Sequence, residues 1–277
     1  MKKLFVGIQL YGLRDLLENM PDHFEEVMRQ VKQLGYDGVE LAGLYGLKPE
    51  FVKEVLDRVG LVPICAHVPL PAMLADAEKV ARDYEAIGCK YIGVPYLPEE
   101  YRPLADGFET ILSEIERIGR VMQAHGMTLL YHNHDFEFVK LEDGTYGLDE
   151  IYRRLPKDLL QAEPDTCWIE VAGERPAEFV RRYTGRCPLV HLKDYIKTGK
   201  PANLYKLIGI DTEEKQADEG YFGFRAVGFG QQIWEPILQA ASDANAEWVI
   251  VEQDEHYELH PMECARRSRE YLRILGC

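Results

Sequence analysis

The six cysteines, Cys65, Cys89, Cys167, Cys187, Cys264 and Cys277, include no CxxC pair. That argues against a zinc knuckle and against a disulfide framework. No run approaches the roughly 18 to 20 apolar residues that a membrane helix needs. The opening MKKLFVGIQLYGLRD has a basic pair, but its apolar run is too short and too interrupted for a signal peptide, so a cytoplasmic protein without membrane contact is expected. Positive charge is scarce: 32 Lys and Arg stand against 47 Asp and Glu, a net charge of −15 with no basic cluster. Such a surface repels phosphate backbones, so no nucleic-acid partner is expected and small polar substrates fit better. A GxGxxG fingerprint is missing, which lowers a doubly wound dinucleotide fold. The lack of a glycine-rich phosphate cradle leans toward an unphosphorylated substrate. No Ser/Gly-rich linker or shift in composition divides the chain, so residues 1–277 read as a single domain.

What is present is an alternation of short apolar runs with amphipathic stretches. Leu4 to Leu10 reads as a strand, and His23 to Leu34 as a helix stopped by Gly35. Gly38 to Ala42 and Val62 to Val68 read as strands, with a helix from Pro49 to Val59 between them, begun by proline and ended by Gly60. The pattern continues through a helix from Met73 to Ile87, a strand at Tyr91 to Tyr96 and a helix from Phe108 to His125. It runs on through the stretch Thr128 to Phe138, a helix at Leu148 to Leu155 and a weaker strand at Leu159 to Asp165. A helix at Pro176 to Tyr183, a strand at Leu189 to Leu192, a helix at Ile233 to Ala244, a strand at Trp248 to Val251 and a helix from Pro261 to Leu275 complete it. Eight strand-then-helix units predict an α/β fold, a single (β/α)8 TIM barrel, with its chemistry at the carboxyl ends of the strands. Gly199 to Gly230, long, polar and glycine-bearing, reads as a lid or substrate loop.

The predicted strand ends are polar. Glu40 closes the second strand and His67 the third; TLLYHNHDFEF places His132 and His134 on one side of the fifth. Asp165 follows the sixth, His191 and Lys193 the seventh, and Glu252 with Asp254 the eighth. Each has a plain structural role beside a functional one. Glu40, His67 or the His-Asn-His pair serve equally as hydrogen-bonded strand termini, and Asp165 as the N-cap of the turn that follows. Lys193 and Asp194 also read as an exposed pair worth under about 1 kcal/mol, and Trp168 as plain core. Together they are harder to explain that way, because ionisable groups converging on one barrel mouth repel or desolvate one another unless a cation or substrate organises them. Oxygen and imidazole donors without thiolate suit one divalent ion, Mn, Mg, Co or Zn.

The sequences GYDGVELAG, YHNHDFEF, EPDTCW, HLKD and VIVEQD, in that order over nearly the whole chain, resemble the xylose-isomerase-like sugar isomerases and epimerases, and also inosose dehydratase-like members. The resemblance implies a metal-dependent barrel acting on a sugar or polyol by proton abstraction beside a carbonyl. It also implies a divalent ion held by Asp165, His191 and Glu252. Where the epimerases have a strand-five glutamate, this sequence has His132, with Glu137 a few residues on. Two arrangements follow: His132 is the fourth ligand, or His132 or His134 is the base. Glu252, His132, His134 and Glu137 are therefore the candidate acid/base groups, since a histidine with an ordinary pKa of about 6.5 suits proton transfer near neutrality. Glu40, His67, Lys193 and Trp168 are the candidates for gripping substrate. Isomerisation, epimerisation and elimination share this first step, with a lyase as runner-up to an isomerase or epimerase. A non-catalytic sugar-binding barrel and an endonuclease IV-like repair protein are the rivals, the latter opposed by the acidic charge. Tyr11, Tyr45, Tyr96, Tyr221 and Phe222 are candidates for the pocket wall or for a subunit contact in a homo-oligomer.

Overall fold

The computed structural model describes residues 2–17, 23–200 and 219–277. Eight parallel strands run β6-β5-β4-β3-β2-β1-β10-β7 around a nearly closed barrel. They are β1 (Phe5–Gln9), β2 (Gly38–Ala42), β3 (Val62–His67), β4 (Tyr91–Val94), β5 (Thr128–His132), β6 (Leu160–Glu163), β7 (Leu189–Leu192) and β10 (Trp248–Val251). The seam between β6 and β7 is closed by an isolated parallel bridge of Asp165 with His191 and by the His191 amide donating to the Pro164 carbonyl at 2.9 Å.

The outer layer comprises α1 (Arg14–Leu17), α2 (Phe24–Leu34), α3 (Pro49–Val59), α4 (Leu70–Ile87), α5 (Phe108–Ala124), α6 (Gly147–Arg154), α7 (Thr166–Val171), α8 (Pro176–Arg182), α9 (Trp234–Asp243) and α10 (Pro261–Ile274). Each longer helix turns an apolar stripe to the strands, as Val27, Met28 and Val31 of α2 do, which is what packs helices against a parallel sheet. The glycines expected to stop α2 and α3 do so: Gly35 and Gly60 have φ of 89° and 79°, a conformation that costs an L side chain strain. Helix α4 begins earlier than its periodicity suggests and is kinked at Asp76, whose side chain accepts from the Lys79 amide and restarts the helix.

The Gly199 to Gly230 stretch, expected as a lid or substrate loop, is in part a strand. Its described part contains β9 (Glu219–Arg225), paired antiparallel with β8 (Asp194–Lys200); residues 201–218 lie outside the described residues. The ribbon is packed inward. Tyr195, Phe222 and Phe224 form a buried cluster with Cys167 and Trp168, and the Phe222 ring stacks on Trp168 at 6.1 Å. Buried Asp194 ties down the exit from the ribbon, accepting from the amides of Gly228 and Gly230 and from the Trp234 indole. The pairing of Lys193 and Asp194 as an exposed surface feature is thereby overturned, since both are buried.

The barrel interior has two storeys. The lower is apolar, built by Ile64, Cys65, Tyr91, Leu130, Leu189, Trp248 and Ile250. The upper begins two residues further along the same strands, at His67, His132, His191 and Glu252, because alternate strand residues share a face. In β3 one extra residue, Ile64, falls where Val39 and Glu40 pair with Pro63 and Cys65; that bulge sets the facing of His67.

Candidate active site at the barrel mouth

Two quartets of buried donors meet at the upper storey. The outer one is His132, Asp165, His191 and Glu252; the inner one is Glu40, His67, Glu163 and His191. In each, the donor atoms lie within 4.8 Å of one another.

Local structure delivers each outer residue. β5 ends at His132, whose Nδ1 faces the Pro95 carbonyl at 3.1 Å and leaves Nε2 toward Asp165 Oδ2 at 3.3 Å and Glu252 Oε2 at 3.6 Å. Asp165 has two jobs: Oδ1 caps α7 by accepting from the Trp168 amide at 3.0 Å, while Oδ2 stays on the site. Asn133, between the two histidines, accepts from the Asp165 amide at 3.1 Å and so pins this corner; the sequence reading assigned it nothing. His191 turns Nδ1 to Glu252 Oε2 at 2.8 Å. His132 Nε2 and Asp165 Oδ2 are buried with no hydrogen-bond partner. Buried polar atoms are normally satisfied, so this donor set fits a cation of the oxygen- and nitrogen-preferring divalent class.

The inner quartet is bonded to itself. His67 Nε2 lies 2.8 Å from Glu163 Oε2, and His191 Nε2 lies 3.0 Å from both Glu163 Oε1 and Glu40 Oε1. Gln9 donates to Glu40 Oε1 at 2.5 Å. Glycine at position 93 is required for this closeness, because a Cβ there would stand 2.6 Å from His67 Cδ2. Glu163 and Gln9 were missed in the sequence. The available signal was parity and strand position: Glu163 sits two residues before Asp165, and Gln9 is the last residue of β1, in register with Glu40 of β2.

A cavity of about 350 Å3 opens above, lined by Gln9, Tyr11, His67, Tyr96, His132, His134, Lys193, Glu252 and Asp254 among others. His134 lies beyond the end of β5, yet its ring stays 5.2 Å from that of His132. Burial, with His132 and Lys193 nearby, holds His134 well below its ordinary pKa and keeps it neutral; its Nδ1 has no hydrogen-bond partner. Trp168 is fully buried and packs on His134 at 5.1 Å, behind the cavity wall. Glu137 is turned away from the cavity: its carboxylate accepts from Tyr131 Oη at 2.5 Å and from the His134 amide at 2.8 Å. Tyr45 and the ribbon residues Tyr221 and Phe222 do not line the cavity, whereas Tyr11 and Tyr96 do.

The charges balance locally. Burial opposes the Lys193 ammonium, but Asp254 at 2.9 Å, Glu252 at 3.0 Å and Asp165 at 3.7 Å outweigh it and raise its pKa. Burial likewise opposes ionisation of Glu252, and Lys193 and His191 reverse that, holding its carboxyl well below the usual range. His132, despite burial, is pushed up to about 9 by Asp165 and Glu252. Asp254 rises to about 6 through burial, against the pull of Lys193.

The structure is thus a parallel barrel whose strand ends gather imidazoles and carboxylates that could hold a metal ion beneath an open cavity. The chain belongs to the xylose isomerase-like TIM barrel family, which matches residues 28–275. It is 24% identical to the inosose dehydratase of Clostridium beijerinckii, covering 98% of this chain and 97% of that protein. The fold superposes on a sugar phosphate isomerase/epimerase from Parabacteroides distasonis with TM-score 0.76 at 19% identity, covering 98% of this chain and 94% of that one. It superposes on the probable 3-DHS dehydratase AsbF of Bacillus anthracis with TM-score 0.72 at 12% identity, covering 98% and 99%. The relatives are thus named as enzymes, both lyases and isomerases. Among the described residues no helix is long and apolar enough to cross a membrane.

Proposed function

We propose that this chain is a single-domain enzyme that removes the proton beside the carbonyl of a keto-sugar or keto-polyol. The observation that carries the reading is the outer quartet, with His132 Nε2 and Asp165 Oδ2 buried, without a hydrogen bond and 3.3 Å apart beneath the cavity. His132, Asp165, His191 and Glu252 would hold one divalent ion, Mn, Mg, Co or Zn. Such an ion supplies Lewis acidity toward a carbonyl oxygen, which acidifies the neighbouring C–H bond.

The chain's own groups do the rest. His134, neutral at the cavity wall with a free Nδ1, accepts the proton. Lys193, ionised between Asp254 and Glu252, donates to an oxygen of the substrate. His67, at the cavity wall, grips a hydroxyl; Glu40, behind Gln9, and Trp168, behind His134, hold the groups that touch substrate. Glu137 supports the His134 backbone. Lys193 is the one Lys or Arg among the described lining residues and is already matched by carboxylates, which favours an unphosphorylated substrate.

With histidine where an epimerase would place its second carboxylate, loss of a β-hydroxyl is the preferred outcome: His134 takes the proton from carbon, the C–H electron pair forms the new C=C bond as the β C–O bond breaks, and His134 returns that proton to the departing hydroxyl, which leaves as water. The full-length likeness to an inosose dehydratase agrees. Isomerisation or epimerisation is the second reading, favoured by the P. distasonis neighbour. Ketoses and keto-cyclitols incubated in deuterated water should exchange the proton next to the carbonyl, and a dehydratase should also form an unsaturated ketone absorbing in the ultraviolet. Chelated protein should do neither. Absence of exchange across the panel with ion-loaded protein would remove the proposal.

A further inference from the structure

His191 belongs to both quartets, and a single imidazole ring cannot serve both in the same way. Its Nδ1 faces Glu252 in the outer quartet at 2.8 Å; its Nε2 faces Glu163 and Glu40 in the inner one, each at 3.0 Å. A neutral ring has one N–H and one lone pair. If Nδ1 gives its lone pair to a cation, the hydrogen sits on Nε2 and must be accepted. Filling both quartets with cations would require the ring to lose both hydrogens.

The surroundings decide between these uses. Glu40 Oε1 is already occupied by the Gln9 amide, and Glu163 Oε2 by His67 at 2.8 Å. The His67 ring lies stacked on His191, 5.3 Å away and 5° from parallel, so the ring that holds Glu163 also fixes the plane of His191. Glu40 Oε2 is the inner atom left without a partner, whereas the outer quartet leaves two atoms on different residues, His132 Nε2 and Asp165 Oδ2. The inner group has the form of a finished hydrogen-bonded clamp, and the outer one of an open coordination set.

We propose that the inner quartet is no second cation site: Glu163, held by His67, is a positioning residue that accepts a hydrogen bond from the Nε2–H of His191 and so presents Nδ1 to one divalent ion in the outer quartet. This rests on the cation reading above. Carboxylates behind metal-ligating histidines fix the tautomer and raise ligand basicity, and losing one typically costs about 10- to 100-fold in affinity.

The test is zinc binding to metal-stripped full-length protein, followed by calorimetry at fixed pH with 15N-histidine spectra of the loaded form. The wild type should take up one zinc per chain, with His191 protonated on Nε2. Glu163→Gln should still bind one zinc, about 10- to 100-fold more weakly, with the His191 tautomer signal broadened or mixed, and Glu163→Asp should recover part of the loss. His67→Gln, which leaves the Glu163 charge in place but unanchored, should weaken binding less and covers the case in which Glu163→Gln fails to fold. Two zinc ions per wild-type chain, with one lost in Glu163→Gln, would make the inner quartet a site and overturn the clamp. So would one ion held equally tightly by folded Glu163→Gln. A wild type that binds no zinc, manganese, magnesium or cobalt would instead remove the reading beneath it, and that result is obtained before any variant is made.

Discussion

The two storeys of the barrel stand on the same strands two residues apart, and they spend their burial differently. Leu130, Leu189 and Ile250 fill the lower half with atoms that gain from leaving water; His132, His191 and Glu252 directly above them are dehydrated at a cost that only mutual pairing offsets. The period of two carries both series, so a single strand contributes to stability at one residue and to chemistry at the next but one. The barrel is thus rigid beneath the groups whose placement matters most.

The largest effect that would sharpen the contrast is at the outer quartet. Asp165→Asn keeps an oxygen to cap α7 but withdraws the charge on the site, so the fold should persist while the protein no longer retains a divalent ion through dialysis and turnover disappears. Elemental analysis beside thermal unfolding measures it, and an unfolded Asp165→Asn with intact ion binding in any refolded fraction would break the comparison. One storey down, Ile250→Ala should do the reverse: about 2–5 kcal/mol of stability lost at every pH, with ion content unchanged, by denaturant unfolding and metal analysis.

The third and smallest effect concerns a buried acid that belongs to neither storey. Burial raises the Glu137 carboxyl from 4.5 to about 7, against the hydrogen bonds from Tyr131 and the His134 amide. Between those values the unfolded chain has released the proton and the folded chain still holds it. Stability therefore falls as pH rises through that window, by about 3 kcal/mol in total. Glu137→Gln should flatten that part of the profile in denaturant titrations at a series of pH values; an unchanged slope would mean that Glu137 is already ionised when folded.

The strand-then-helix order was readable because each helix carries an apolar stripe and several end on a glycine that the backbone needs there, as at Gly35 and Gly60. The ribbon was not readable. Asp194–Lys200 and Glu219–Arg225 are short, charged and glycine-bearing, and each is a strand only because the other pairs with it across the intervening chain. At the mouth, Asp165, His191 and Glu252 were visible as strand-end polar residues, and His132 with them. Glu163 was hidden because the sixth strand was read through to Asp165, whereas β6 ends at Glu163 and Asp165 caps α7. Asn133 and Gln9 act through hydrogen bonds to other strands, and no local pattern announces those.

By itself the sequence determined the repeating α/β order, the acidic surface and the residue types at the strand ends, since these follow from periodicity and composition within short windows. Which nitrogen of His191 faces which carboxylate, that Glu137 turns to Tyr131 while His132 turns inward, and that Lys193 is enclosed by carboxylates were decided only when the barrel closed. Closure sets distances between residues far apart in the chain, and the electrostatics of a buried group depend on those distances.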